Sequence, residues 1–231
     1  MMRLSGLIIL LFPIVGLSQT SEGKVWTELG VGGEIVKNLD WGVELTNRFG
    51  SYGLETFFPQ ASLKYKLNKY VRFSGDYRTI FDRQLNGTYS NAHRVNFNVE
   101  GRYQVDRLYL KLRGRYQYSF DRFVASEFYE PEFDQAIRGK LEVKYDVNDF
   151  ILTPIVSGEV FYNPQFGPFG NQINKLRITG GFELDLNSNH EVSFGYIYDT
   201  RINLTNPRNR HILSLGYGYT IKEKKKKKKK D

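Results

Sequence analysis

From Lys24 to Ile221 the chain alternates apolar and polar residues with a period of two, and no stretch shows a convincing 3.6-residue stripe. A period of two sends successive side chains to opposite faces of an extended strand. Segment Arg107 to Phe120 is the clearest case. Leu108, Leu110, Leu112, Gly114, Tyr116, Tyr118 and Phe120 share one face, against Arg107, Tyr109, Lys111, Arg113, Arg115, Gln117 and Ser119 on the other. A slip of one residue would exchange the two faces completely, so any difference in their surroundings fixes the register. The pattern predicts an all-β fold: an antiparallel up-and-down transmembrane β-barrel of about ten to twelve strands.

The same two-faced reading holds for Arg94 to Val105 and Ala136 to Val147. Coarser forms occupy Lys24 to Lys37, Trp41 to Phe49, Phe57 to Leu67, Val71 to Asp82, Phe150 to Asn163, Ile173 to Leu186, His190 to Arg201 and His211 to Ile221. Eleven strands are thus visible, whereas single-chain barrels of the bacterial outer membrane normally have an even number. Splitting the first segment, or folding it inside, would restore ten or twelve. Between the segments, Asn/Asp-rich turns at Asn38–Asp40, Asn68–Tyr70, Val105–Asp106, Asn148–Asp149 and Asn187–Asn189 alternate with longer loops. The longer ones are Gly50–Thr56, Leu85–Asn91, Asp121–Phe133, Pro164–Asn171 and Asn203–Arg210. Short turns at one rim and long loops at the other are the outer-membrane arrangement.

Alternation alone also describes a soluble barrel whose apolar face surrounds a greasy ligand. Three features favour lipid outside. The segments have the ten or so residues that a tilted strand needs to cross the hydrocarbon. Aromatics collect towards strand ends, as with Trp41 and Phe49 around Val43 and Leu45, where amphipathic rings meet headgroups. The last strand, with Leu213, Leu215, Tyr217, Tyr219 and Ile221 on one face, resembles the C-terminal signal read by barrel-assembly machinery, although lysines follow it.

The chain opens with Arg3, an apolar run from Leu7 to Leu17 and small residues at Gly16 and Ser18, the three parts of a secretory signal. The run is too short to span a bilayer as a helix. Residues 1–18 are therefore read as a signal peptide, 19–221 as one barrel domain, and 222–231 as a disordered poly-lysine tail. There is no cysteine, hence no disulfide framework and no lipidated N-terminal cysteine. The formal charge is +8, but eight lysines from Lys222 to Lys230 against Glu223 and Asp231 account for six, and Arg3 for one more. The body is nearly neutral, which argues against nucleic acid as a partner. The expected partners are outer-membrane lipid and, during biogenesis, the assembly machinery; the expected location is the cell outer membrane of a Gram-negative bacterium.

Several phrases belong together: Leu152-Thr153-Pro154-Ile155-Val156-Ser157-Gly158-Glu159-Val160-Phe161-Tyr162, Gly75-Asp76-Tyr77-Arg78, Ile173-Asn174-Lys175-Leu176-Arg177 and His211-Ile212-Leu213-Ser214-Leu215-Gly216-Tyr217. Over nearly the whole chain after the leader, they resemble the exported-barrel family known as domain of unknown function 2490. The resemblance implies an outer-membrane barrel and carries no activity to transfer.

The polar parity supplies the candidate lumen-lining residues: Arg78, Glu100, Arg102, Lys111, Arg113, Arg115, Arg138, Lys140, Glu142, Lys144, Glu159, Arg177 and Glu183. Two readings follow. Long side chains of opposite sign can pair across a narrow, plugged interior. Alternatively, Lys111, Arg113 and Arg115 beside Arg138, Lys140 and Lys144 form a basic wall favouring anionic solutes. Porin-like conduction through a narrow or gated pore is the leading functional expectation, with a lipid-acting barrel enzyme or a structural or binding barrel as alternatives. Catalysis has little support. Only His93, His190 and His211 are present, there is no Gly-x-Ser-x-Gly elbow, and the nearest nucleophile–base arrangement is Ser90 with His93 near the outer rim. No metal spacing and no cofactor are implied. In the longest loop, Glu127, Glu130, Glu132 and Asp134 surround Phe128 and Tyr129 as a candidate outer binding patch.

Overall fold

The computed structural model describes residues 20–120, 135–148, 150–168, 170–186, 189–203 and 208–222. The expected leader, the tail beyond Lys222 and the acidic loop around Glu127 lie outside them. Eleven strands follow in chain order: β1 (Thr20–Val36), β2 (Leu39–Gly50), β3 (Gly53–Lys66), β4 (Val71–Arg83), β5 (Tyr89–Val105), β6 (Leu108–Phe120), β7 (Gln135–Tyr145), β8 (Leu152–Asn163), β9 (Gln172–Asp185), β10 (His190–Arg201) and β11 (Arg208–Ile221). Each pairs antiparallel with the next, and β1 pairs with β11 to close the barrel. The sequence-expected segments coincide with these strands apart from their ends.

The odd strand number has a simple geometric outcome. When eleven strands alternate in direction, the first and last run the same way, so the closing pair must be parallel. The β1–β11 seam is parallel and in unbroken register from Thr20↔Arg208 to Gly33↔Ile221. The first segment is neither split nor tucked inside; it is a full wall strand of 17 residues. A parallel ladder is slightly weaker per residue, and at this seam side chains add to it. Arg208 and Arg210 of β11 reach Glu22 of β1 at 3.5 and 3.2 Å.

The connections at one rim are short, as between β5 and β6, where Asp106 takes the left-handed conformation (φ 51°) that aspartate tolerates in tight turns. One connection at the opposite rim departs from expectation. The predicted loop Gly50–Thr56 is instead a two-residue hairpin at Ser51–Tyr52, closed by Gly53 at φ +79°. Leu54, Glu55 and Thr56 belong to β3, where a register shift opposite Arg48 and Phe49 leaves Glu55 as the extra residue of a bulge. A bulge re-aims side chains, and here it turns Glu55 inward, onto Lys24 at 2.5 Å.

The two faces of the wall differ sharply. Outside, Leu29, Leu63, Phe97, Leu112, Leu141, Val156, Ile178 and Leu213 are all more than half exposed. Aromatic rings meet towards the long-loop rim, Phe57 stacked on Phe81 at 4.6 Å and edge-on to Tyr89 at 5.5 Å. Tyr70–Tyr103 and His190–Tyr219 form tilted pairs near the short-turn rim. Thr27 and Asn47, polar but outward, satisfy each other across β1 and β2 at 3.3 Å. Among the described strand residues, charged side chains fall on the inward parity, with Arg83 at the long-loop rim as the exception. Inside, two small apolar clusters sit among them: Trp26 with Ile197 and Ile212, and Phe58 with Ile80.

Candidate functional site: the charged interior

Because every strand alternates, each contributes a column of side chains to the interior. Crowding forces those columns to pair, since an uncompensated charge away from water is costly. Glu159 of β8 is the hub. Arg138 of β7 grips it with two parallel bonds of 3.0 Å, from Nε to Oε1 and from a terminal nitrogen to Oε2. Arg113 of β6 donates at 2.7 Å, and Arg177 of β9 stands 3.9 Å away. Such a two-pronged guanidinium–carboxylate contact fixes orientation as well as charge.

The remaining sequence-predicted residues also meet partners. Glu142 accepts from Lys111 (2.5 Å) and Lys140 (2.7 Å). Lys144 pairs with Glu183, and Glu100 with Arg102 at 2.8 Å. Arg115 donates to Asn98 at 2.5 Å and lies 3.5 Å from Asp76. Arg177 bonds Asp199 at 2.9 Å, and Arg78 donates to Gln60. The expected basic wall is therefore not a free cationic surface: Lys111, Arg138 and Lys140 meet a carboxylate of their own or the adjacent column, and Arg113, Arg115 and Lys144 reach one two strands away.

A different set of groups forms the interior's centre. A cavity of about 230 Å3 is lined from all eleven strands, so it lies on the barrel axis. Three inward aromatic rings, Trp26, Phe58 and Phe161, seat cations around it. Arg48 lies 4.1 Å from the Trp26 ring and 4.9 Å from Phe58, and Arg78 lies 4.5 Å from Phe58. Arg138 and Lys175 each lie 4.3 Å from Phe161. A ring face attracts a cation without neutralising it. Towards the short-turn rim the interior widens to a vestibule of about 1260 Å3, because Gly30, Gly32, Gly42, Ser62 and Gly218 leave the wall thin. Glu44 borders both spaces.

Parity reasoning does not find Trp26, Phe58 or Phe161, because it assigns apolar residues to the outside. Arg48 was hidden by Thr46-Asn47-Arg48, where both faces are polar. The available signal was the interruption itself, an aromatic residue in the polar column.

The structure separates the Ser90 and His93 that sequence proximity suggested as a pair. Ser90 is on the inward parity and accepts a bond from Gln84 Nε2 at 2.6 Å. His93 is on the outward parity, its Nδ1 bonded to the Tyr77 hydroxyl at 2.7 Å. His190 and His211 likewise bond Tyr217 and Tyr196 across neighbouring strands. Among the described residues no group of three or more His, Cys, Asp and Glu side chains is arranged to hold a metal ion.

Residues 23–211 match the family described as "protein of unknown function (DUF2490)". The chain belongs to this family. The matched stretch begins in β1 and ends in β11, and it contains the ion pairs around Glu159 and Glu142. No curated protein matches the chain. Among solved structures, it is similar to the crystal structure of the beta domain of the Bordetella autotransporter BrkA, at 12% identity. The match covers 80% of this chain and 85% of that one, with a TM-score of 0.42.

Proposed function

We infer that this member of the DUF2490 family is an outer-membrane barrel whose narrow, charged interior restricts passage to small solutes. The observation that carries this reading is the inside-out distribution of the chain. Apolar side chains cover the outer wall on all sides, and charges fill the interior. A soluble protein rarely exposes even a single apolar patch beyond a few hundred Å2, and here the patch is the whole wall. Lipid removes that cost, and the closed barrel leaves no unpaired strand edge within it.

Side chains reaching across the interior narrow it. Lys24 of β1 meets Glu55 of β3, bypassing β2, and the Glu159 hub gathers arginines from three strands. Passage past these pairs suits small solutes only. The test is conductance of the refolded protein lacking residues 1–18 in a planar bilayer, after heat-modifiable gel mobility has verified folding. Small, stable steps are expected. Wide openings that pass sugars would contradict a restrictive interior, and silence from a verified barrel would favour a sealed structural or binding role.

A further inference from the structure

We propose that the vestibule is a binding site for small zwitterions, solutes that carry both a carboxylate and an ammonium group, such as amino acids and short peptides. The inference rests on the reading above and deepens it, since it names the class of small solute that the interior takes up.

The short-turn half of the interior has two electrically distinct sides. On β3, β4 and β5, Lys64, Lys66, Arg72 and Arg102 line the vestibule, and Lys111 and Lys144 extend that basic side through β6 and β7. On β10, β1 and β2 the lining charges are all acidic, Glu191, Glu34, Asp40 and Glu44, and Glu183 and Asp185 extend the acidic side into β9. Inward glycines of β1, β2 and β11 keep the acidic side recessed, so space rather than side chains separates the two. Among the described residues, Lys222, just beyond β11 at the mouth, is the one lining cation on the acidic side.

Elsewhere in the interior opposite charges intermingle, as around Glu159, so the fold does not impose this segregation. Glu100 and Glu142, the acids on the basic side, are each held by a cation there, Arg102 at 2.8 Å and Lys111 at 2.5 Å. Where the sides meet they are pinned together, Asp40 to Lys66 at 2.7 Å across β2 and β3, and Lys144 to Glu183 between β7 and β9. Away from those junctions the charges face open space. Among the described residues, Lys64, Arg72, Glu34 and Glu191 make no ion pair.

The Nε–H of Arg72 is buried and has no acceptor in the protein, a disfavoured state for a donor. A solute carboxylate supplies that acceptor, while its ammonium is drawn to Glu34 and Glu191 on the opposite side. Charges of opposite sign on facing walls set up a field across the space, and a bipolar solute aligned with it satisfies both walls at once. A solute with one charge satisfies one wall and meets like charge on the other. The space of about 1260 Å3 admits an amino acid or short peptide with its water.

The barrel lacking residues 1–18 is folded in deuterated detergent, and binding is followed by saturation-transfer NMR. The probes are γ-aminobutyrate, then butyrate and butylammonium, which each carry one of its charges, and neutral erythritol, which is of similar size. γ-Aminobutyrate is expected to bind saturably and more tightly than the other three. Arg72→Gln should reduce its affinity about tenfold, the loss expected of one hydrogen bond to a charged group, without weakening butylammonium. Glu191→Gln should weaken γ-aminobutyrate without weakening butyrate. If Arg72→Gln fails to fold, Lys64→Gln is read in its place.

Erythritol or butyrate binding as tightly as γ-aminobutyrate would overturn the proposal, the second because it would leave a plain anion site. So would a γ-aminobutyrate affinity that both variants leave unchanged. Failure of the conducting reading is separate. Binding without entry of γ-aminobutyrate into vesicles would deny passage and keep the site, whereas passage of γ-aminobutyrate and erythritol at equal rates without binding would keep the pore and deny the site.

Discussion

Glu159 concentrates what single residues do in this barrel. Its carboxylate is nearly buried and neutralises guanidiniums from β6 and β7 at once. Removing one partner of such a group leaves the others charged and unpaired, which costs about 3–5 kcal/mol. Glu159→Gln should therefore lower the denaturant midpoint of the folded barrel markedly, while the isosteric side chain preserves packing. Lys144 and Glu183 make the contrast, with side chains 26% and 22% exposed towards the short-turn rim. There Lys144→Met should shift stability by no more than about 1 kcal/mol, because a partly exposed pair gains little over water. Both members of each pair were legible from polar parity alone. Which carboxylate each cation meets was not, because partner choice depends on how neighbouring columns stagger around the barrel.

Among the strands, close approach of backbones decides where a side chain is tolerated. A Cβ on Gly181 of β9 would lie 2.5 Å from the Phe194 carbonyl oxygen and 2.8 Å from the Gly195 Cα of β10. Gly181→Val should prevent that pairing and abolish the heat-resistant band on gels. Gly114 of β6 has no atom within 4 Å of an added Cβ, so Gly114→Ala should change stability by about 0.5 kcal/mol or less, measured the same way. Strand positions were legible because the period of two survives from end to end in most segments. It breaks where β3 begins: the bulge at Glu55 puts Glu55 and Thr56 on the same side, so Leu54 to Thr56 does not alternate and reads as loop. The inward aromatics were missed for the same reason, since a two-colour pattern has no category for a ring that faces a cation.

For the molecule as a whole, the proposed function turns on which face meets lipid. Eleven strands form a closed body with charges inside and an apolar outer wall, and on the proposed reading a bilayer solvates that wall. Leu112, 62% exposed in the middle of β6, is a sensitive point on that wall. Leu112→Arg should cost about 2–4 kcal/mol if it lies near the bilayer midplane, read as reduced stability of the barrel folded into vesicles. On a protein whose outer wall met water, the same change would be neutral or helpful.

The absence of native cysteine allows the most direct test, a spin-label scan of single cysteines along β6 from Leu108 to Phe120 in lipid vesicles. Collision with oxygen, which partitions into lipid, is compared with collision with a water-soluble nickel complex. Even-numbered positions should favour oxygen and odd-numbered positions should not, alternating at every residue. Inverted phases, or water access on both faces, would contradict a barrel held in the membrane by its outer wall.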